Sequence, residues 1–421
     1  MIAILYTIFF AFTMPVLFFR NRLAGTIYSV LFLYSIFAIV GYLYFPGMSE
    51  SILAYFGDQA GYVGASFIFL SMVAFFTINL FLYRPRPAGA PPERGLAISF
   101  DRNNEVSAFS ILLVYGLAAA FAFFLFLTFE DLSWSEAQQD DISLRVVIFI
   151  AAFKLSVGIL CFLYICIMSK VPKNYAVFIP AFLFYLVTFL VASVKLGNRT
   201  DPAALIVGIL FFESSRRTLD AKTILRSLLL VLIGIIGLSV IEFFRYDTEG
   251  SIASLTDKII QNDYFAPAHM LFASIAYDFV DLNEVIASNF NNALILQDYP
   301  YLQQSVTDLF NLGVATRSAG YAFYIFSEGY IAFGFLGFLY NATVTSSFLR
   351  LWNSFAFSDS KFFNTLILSI LATMSINVCR SQSSQYIKIL YTYFIPVMIF
   401  IVIILGVRVG LQRRVIRDDL T

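Results

Sequence analysis

The chain is 421 residues long, 60% apolar by residue type and only 13% charged. Ordinary soluble domains run at about 45–50% and about 25%, so there is too little polar surface here to coat a soluble globule of this size. That excludes a soluble enzyme, a disordered chain and a nucleic-acid binder, and leaves an integral membrane protein. The 27 basic and 27 acidic residues cancel, so charge is informative only through its placement.

A helix needs about 20 mostly apolar residues to cross a bilayer. Such stretches recur about eleven times, at 1–19, 23–45, 62–83, 107–129, 146–168, 175–194, 202–212, 227–244, 321–349, 362–380 and 387–408. The seventh is too short for a full crossing unless flanking residues join it. The alternating pattern of a membrane β-barrel is absent, and in lipid the backbone must satisfy itself within each segment, so the spans are predicted to be helices. The first has no basic n-region and no small-residue cleavage site, and is expected to be retained.

Basic residues set the orientation. The turns after spans one, three, five, seven and nine, with the C-terminal tail, hold 18 of the 27. The opposite side holds eight: Arg145, Lys195, Arg199, Arg245, Lys258, Arg317, Arg380 and Lys388. Lys154 is left inside span five. By the positive-inside rule the N-terminus faces out and the C-terminus lies in the cytoplasm. The chain then divides into a bundle of eight spans (1–244), a large external loop (245–320) and three further spans with a cytoplasmic tail (321–421). The Pro-rich turn at 84–94 reads as a linker. The external loop carries helix-like apolar spacing at Leu271, Phe272, Ile275 and Phe279, which predicts amphipathic helices resting apolar side down on the outer membrane face.

Three groups of external charge stand out. The turn Lys195-Leu-Gly-Asn-Arg199-Thr-Asp201-Pro202 reads either as an Arg–Asp pair closing a turn, with Pro202 starting a helix, or as an anion site reinforced by that helix's N-terminal dipole. Arg317 precedes a stretch in which Glu328 lies about a turn inside an apolar span. An intramembrane carboxylate is a functional candidate or one half of a structural ion pair. Gly329, Gly334 and Gly337 in the same stretch suit close helix packing. Arg380 and Lys388 flank a short polar turn, where snorkelling is the simpler reading. His269 is the single histidine, a surface or cap residue or else a catalytic imidazole. Cys161, Cys166 and Cys379 all lie in apolar stretches and form no CxxC or disulfide framework. No P-loop, GxGxxG, DxD or HExxH pattern occurs, so no metal and no cofactor is expected.

Fixed cations, one carboxylate and one imidazole thus gather at one membrane face under a large loop, as a lipid-linked pyrophosphate held there would require. The turn Gly197-Asn198-Arg199-Thr200-Asp201, followed after the large loop by Glu328, Tyr330, Phe333, Gly334 and Gly337 in SEGYIAFGFLG, resembles the Wzy-type O-antigen or oligosaccharide repeat-unit polymerases. The resemblance covers most of the chain in topology and two short motifs in sequence. It implies an all-α polytopic membrane fold, GT-C-like and similar to the O-antigen ligases, in the bacterial inner membrane. It implies transfer of a growing glycan from undecaprenyl pyrophosphate to a lipid-linked repeat unit at the periplasmic face, without a metal. It allows for a chain-length regulator of the Wzz type. On that reading Arg199, Arg317 and Arg380 stabilise the departing diphosphate, with Arg245 in reserve. Glu328 or His269 serves as base or orienting group, and direct displacement inverts the anomeric centre. Lys195, Asp201, Lys388 and Tyr321 complete the substrate-binding set, Asp201 by bracing Arg199. A flippase for the same lipid-linked sugars and an O-antigen ligase are the alternatives.

Overall fold

The computed structural model describes residues 2–39, 59–83, 144–169, 178–196, 200–216, 269–293, 324–356 and 361–380, with single positions at 176, 225, 229, 232–234, 236–237, 302 and 386. Among them there is no strand. The helices are α1 (Ile2–Arg20), α2 (Arg22–Ile39), α3 (Gln59–Leu82), α4 (Leu144–Ser169), α5 (Phe178–Leu196), α6 (Thr200–Arg216), α7 (His269–Ala276), α8 (Leu282–Ala293), α9 (Ile325–Phe333), α10 (Gly337–Ala356), α11 (Lys361–Met374) and α12 (Asn377–Arg380). By length and composition, Val63–Leu82 and the run Ile325–Phe355 are long and apolar enough to cross a membrane, although the second is interrupted at Gly334. The predicted spans at 107–129 and 387–408 lie outside the described residues, and the one at 227–244 is described only at isolated positions. The short seventh span becomes the 17-residue α6, with Pro202 in its first turn, where a missing N–H leaves no bond unmade.

Helices this apolar pack through aromatic faces and a few internal hydrogen bonds. Tyr6, Phe10, Tyr28 and Phe69 join α1, α2 and α3. The Tyr28 hydroxyl bonds Thr13 at 2.7 Å and accepts from Thr77 at 3.2 Å, which ties the same three helices. The Tyr164 hydroxyl donates to Glu213 at 2.7 Å between α4 and α6, and Thr26 donates to Ser214 at 2.7 Å between α2 and α6. A Cβ at Gly208 would meet the Ala372 carbonyl oxygen at 2.8 Å, so α6 and α11 touch backbone to backbone. Outward, α1 shows Ile4, Ile8, Phe12 and Phe19, and α5 shows Leu183, Phe184, Val187 and Val191. Continuous exposed apolar stripes of this kind are what contact with lipid requires.

The structure corrects two sequence expectations. The span predicted at 321–349 is not one helix. It breaks at Phe333–Gly334, where Gly334 takes φ 58°, ψ −138°, a region essentially reserved for glycine. The chain then folds back through a 3-10 turn, Gly334–Leu336. Gly337 lands on Gly329: a Cβ at Gly337 would overlap the Gly329 carbonyl, and one at Gly329 would lie 2.6 Å from the Gly337 oxygen. Two of the three glycines therefore permit the helix crossing, as close packing predicts, and the third makes the turn. Gly337→Ala should disrupt this hairpin by more than the about 1–3 kcal/mol of ordinary overpacking, because backbone has to yield. A fall in thermal unfolding temperature, read beside an Ala342→Gly control on the same helix, checks it.

The second correction concerns the external loop. In α7, Met270, Leu271, Phe272, Ala273 and Ser274 are all fully buried. Phe272 packs on Phe69 of α3 at 5.9 Å. The apolar spacing at Leu271, Phe272 and Ile275 therefore faces protein, not lipid. Among the described residues of the loop, α8 matches the amphipathic expectation, with Val285 and Ser288 buried and Leu282, Ile286 and Phe290 exposed. Period 3.6 gives an apolar face but does not say what covers it.

Candidate functional site

The short helix α9 is the centre of the candidate site. Its start is held from two sides: the Tyr324 hydroxyl donates to the Leu31 carbonyl at 3.2 Å, and Ser327 N–H donates to the Tyr324 carbonyl at 2.8 Å. Phe326 packs edge-on to Phe76 at 5.2 Å and to Phe69 at 6.2 Å. The break at Gly334 takes away the partner that the Ile331 carbonyl would have in a continuous helix, and Asp281 N–H supplies a substitute at 2.7 Å. Asp281 also caps α8, its side chain accepting from Glu284 N–H at 3.0 Å. The turn leading into it closes α7 with paired bonds, Phe279 N–H to Ser274 and Asp278 N–H to Ile275. Asp278 supplies the left-handed residue, φ 47°, that such an ending demands. One break thus positions α7, α8, α9 and α10 together.

Glu328 sits in the first turn of α9, 1% exposed, where the helix dipole favours a carboxylate. Its Oε1 accepts from Asn289 Nδ2 of α8 at 2.6 Å and from the Tyr340 hydroxyl of α10 at 3.0 Å. Loop helix, broken helix and returning helix therefore converge on one oxygen. Tyr386 lies within electrostatic reach of Glu328, Tyr340 and Cys379. Burial first, and then Cys379, Glu328 and Tyr340, push its phenol well above the ordinary range, so it is a protonated donor at neutral pH. Its hydroxyl has no hydrogen-bond partner among the described residues. Tyr340→Phe removes one of the two donors that the described residues supply to this buried carboxylate, and should lower stability by about 1.5–3 kcal/mol. Chemical denaturation beside an exposed Tyr277→Phe control measures it.

Of the residues singled out from sequence, the structure brings the elements of three together. His269 is the first residue of α7, which packs on α9. Arg380 is the last residue of α12, which packs on α2, α9 and α10. Glu328 lies on α9, which both of those helices contact. Asp201 is fully buried in the first turn of α6, a helix packed chiefly on α2, α4, α5 and α11. Lys195 lies in the last turn of α5 and Lys154 within α4. Arg199, Arg245, Arg317, Lys388 and Tyr321 lie outside the described residues. Sequence reasoning missed Asn289, Tyr340 and Tyr386. The signal available was weak: Asn289 sits among alternating polar residues, and tyrosine, at 24 copies, is too common to draw notice.

The carboxylate, two phenols and an amide can orient a ligand hydroxyl and accept its proton. Comparison with family models, with curated proteins and with solved structures yields no match. What stands is the class defined by the fold: an all-helical protein, among its described residues, with two stretches able to cross a membrane and a buried carboxylate beside a broken helix.

Proposed function

We propose that the chain is a polytopic enzyme of the bacterial inner membrane that polymerises lipid-linked oligosaccharide. It transfers a growing glycan from undecaprenyl pyrophosphate to the next lipid-linked repeat unit at the periplasmic face. One observation carries the reading: the helices bearing His269 and Arg380, distant in sequence, each pack on the helix of Glu328, a buried carboxylate that already accepts from Asn289 and Tyr340. The Wzy-type pattern in GNRTD and SEGYIAFGFLG names the same carboxylate. Glu328 orients the acceptor hydroxyl and takes its proton as the glycosidic bond forms. Arg380, with Arg199 and Arg317 from the flanking turns, stabilises the negative charge on the departing diphosphate. His269 stands on the neighbouring helix as the alternative base.

One observation favours a second reading. An interrupted helix bearing a buried carboxylate is also how transporters build binding sites near mid-membrane, which fits a flippase for the same lipid-linked sugars. Deleting the gene separates the two. Loss of a polymerase leaves single repeat units on lipid at the periplasmic face, with no polymer. Loss of a flippase strands those units on the cytoplasmic side.

A further inference from the structure

The hydrogen bonds of the Glu328 cluster leave a second set of polar atoms unused, and these lie along one face of α10. Asn341, Thr345 and Trp352 are each 0% exposed. Both amide atoms of Asn341, the Thr345 Oγ1 and the Trp352 Nε1 have no hydrogen-bond partner among the described residues. At about 100° per residue the three positions fall within about 40° of one another around the helix, and they span about 16 Å of its axis. The seam starts one residue after Tyr340, whose hydroxyl holds Glu328. The unpartnered Tyr386 hydroxyl lies at the same end.

Buried polar groups in folded proteins are satisfied by protein or by ordered water. The chemistry of this set selects between possible occupants. The indole N–H and the amide N–H can only donate, and a cation would leave them unmet. The Asn341 carbonyl oxygen can only accept, and an anion would leave it unmet. Water donates and accepts, and needs only small gaps between helices. Phe348, one turn before Trp352, is buried and its ring packs on Trp352 at 6.0 Å, so a path between Thr345 and Trp352 has to pass beside that ring.

We propose that a file of internal water occupies this face of α10, running from the Glu328 cluster to Trp352 and supplying solvent to that cluster from inside the bundle. The inference is independent of the glycan reading, because it concerns solvent and not substrate. Hydroxyl-radical footprinting of the intact protein in micelles, with oxygen-18 water as the probe, tests it. Bound water inside the bundle should label Trp352 although it has no surface, and Thr345→Val should cut that labelling about tenfold by removing one link. Asn341→Leu should do the same, and Thr345→Val, being isosteric, keeps the test valid should Asn341→Leu misfold. Trp352 unlabelled in the unaltered protein, or labelled equally in Thr345→Val, overturns the proposal. So does a higher unfolding temperature in Thr345→Val, the mark of a dry seam.

Discussion

Glu328→Gln is expected to abolish polymer while leaving the protein in the membrane. Glutamine keeps the shape, and its carbonyl oxygen still accepts from Asn289 and Tyr340, so the cluster of bonds at 2.6 and 3.0 Å survives. What it loses is the capacity to take a proton. General-base assistance contributes about 10²–10⁴-fold, so chain extension falls by that factor and long glycan disappears from gels. Glu328→Leu behaves differently. It leaves two donors facing an apolar side chain, at about 1–3 kcal/mol each, and lowers protein yield along with activity. Near-normal ladders in Glu328→Gln, at matched protein level, would transfer the base role to His269 or reduce Glu328 to a brace.

The second large effect is expected from the arginines. On the proposed reading, Arg380→Ala and Arg199→Ala each take a fixed cation away from the departing diphosphate. Loss of one preorganised charge partner costs about 10²–10³-fold in rate. Lysine at position 380 should restore only part of it, because it lacks the bidentate fork that matches phosphate oxygens. Quantifying long-chain glycan against membrane-bound protein in the two alanine variants checks the assignment. Ladders of normal length in both would remove the anion-site role.

Much of the helical organisation was legible in the sequence because a hydrocarbon environment leaves the backbone few choices. Span limits read from apolar runs lie close to α1, α3, α4 and α5. The broken segment was not legible. SEGYIAFGFLG is apolar enough to read as one span, and glycine at 334 signals flexibility without saying that the chain will reverse there. The reversal depends on a tertiary contact, Gly337 on Gly329, which no local pattern encodes. The same holds for α7, whose apolar positions suited a membrane surface as well as a protein neighbour. At the site, an isolated carboxylate in an apolar run stood out because its burial demands compensation. Its donors did not, because Asn289 and Tyr340 are ordinary residue types whose roles exist only once α8 and α10 fold against α9. His269 and Arg380 were found as unusual charges, and the packing of their helices on α9 was beyond any reading of spacing.

The most direct test uses purified full-length protein in liposomes supplied with lipid-linked repeat units. The account predicts a ladder of glycan polymers with release of polyprenyl diphosphate, undiminished by a chelator and absent with Glu328→Gln. Movement of the units across the bilayer with no new glycosidic bond would contradict it.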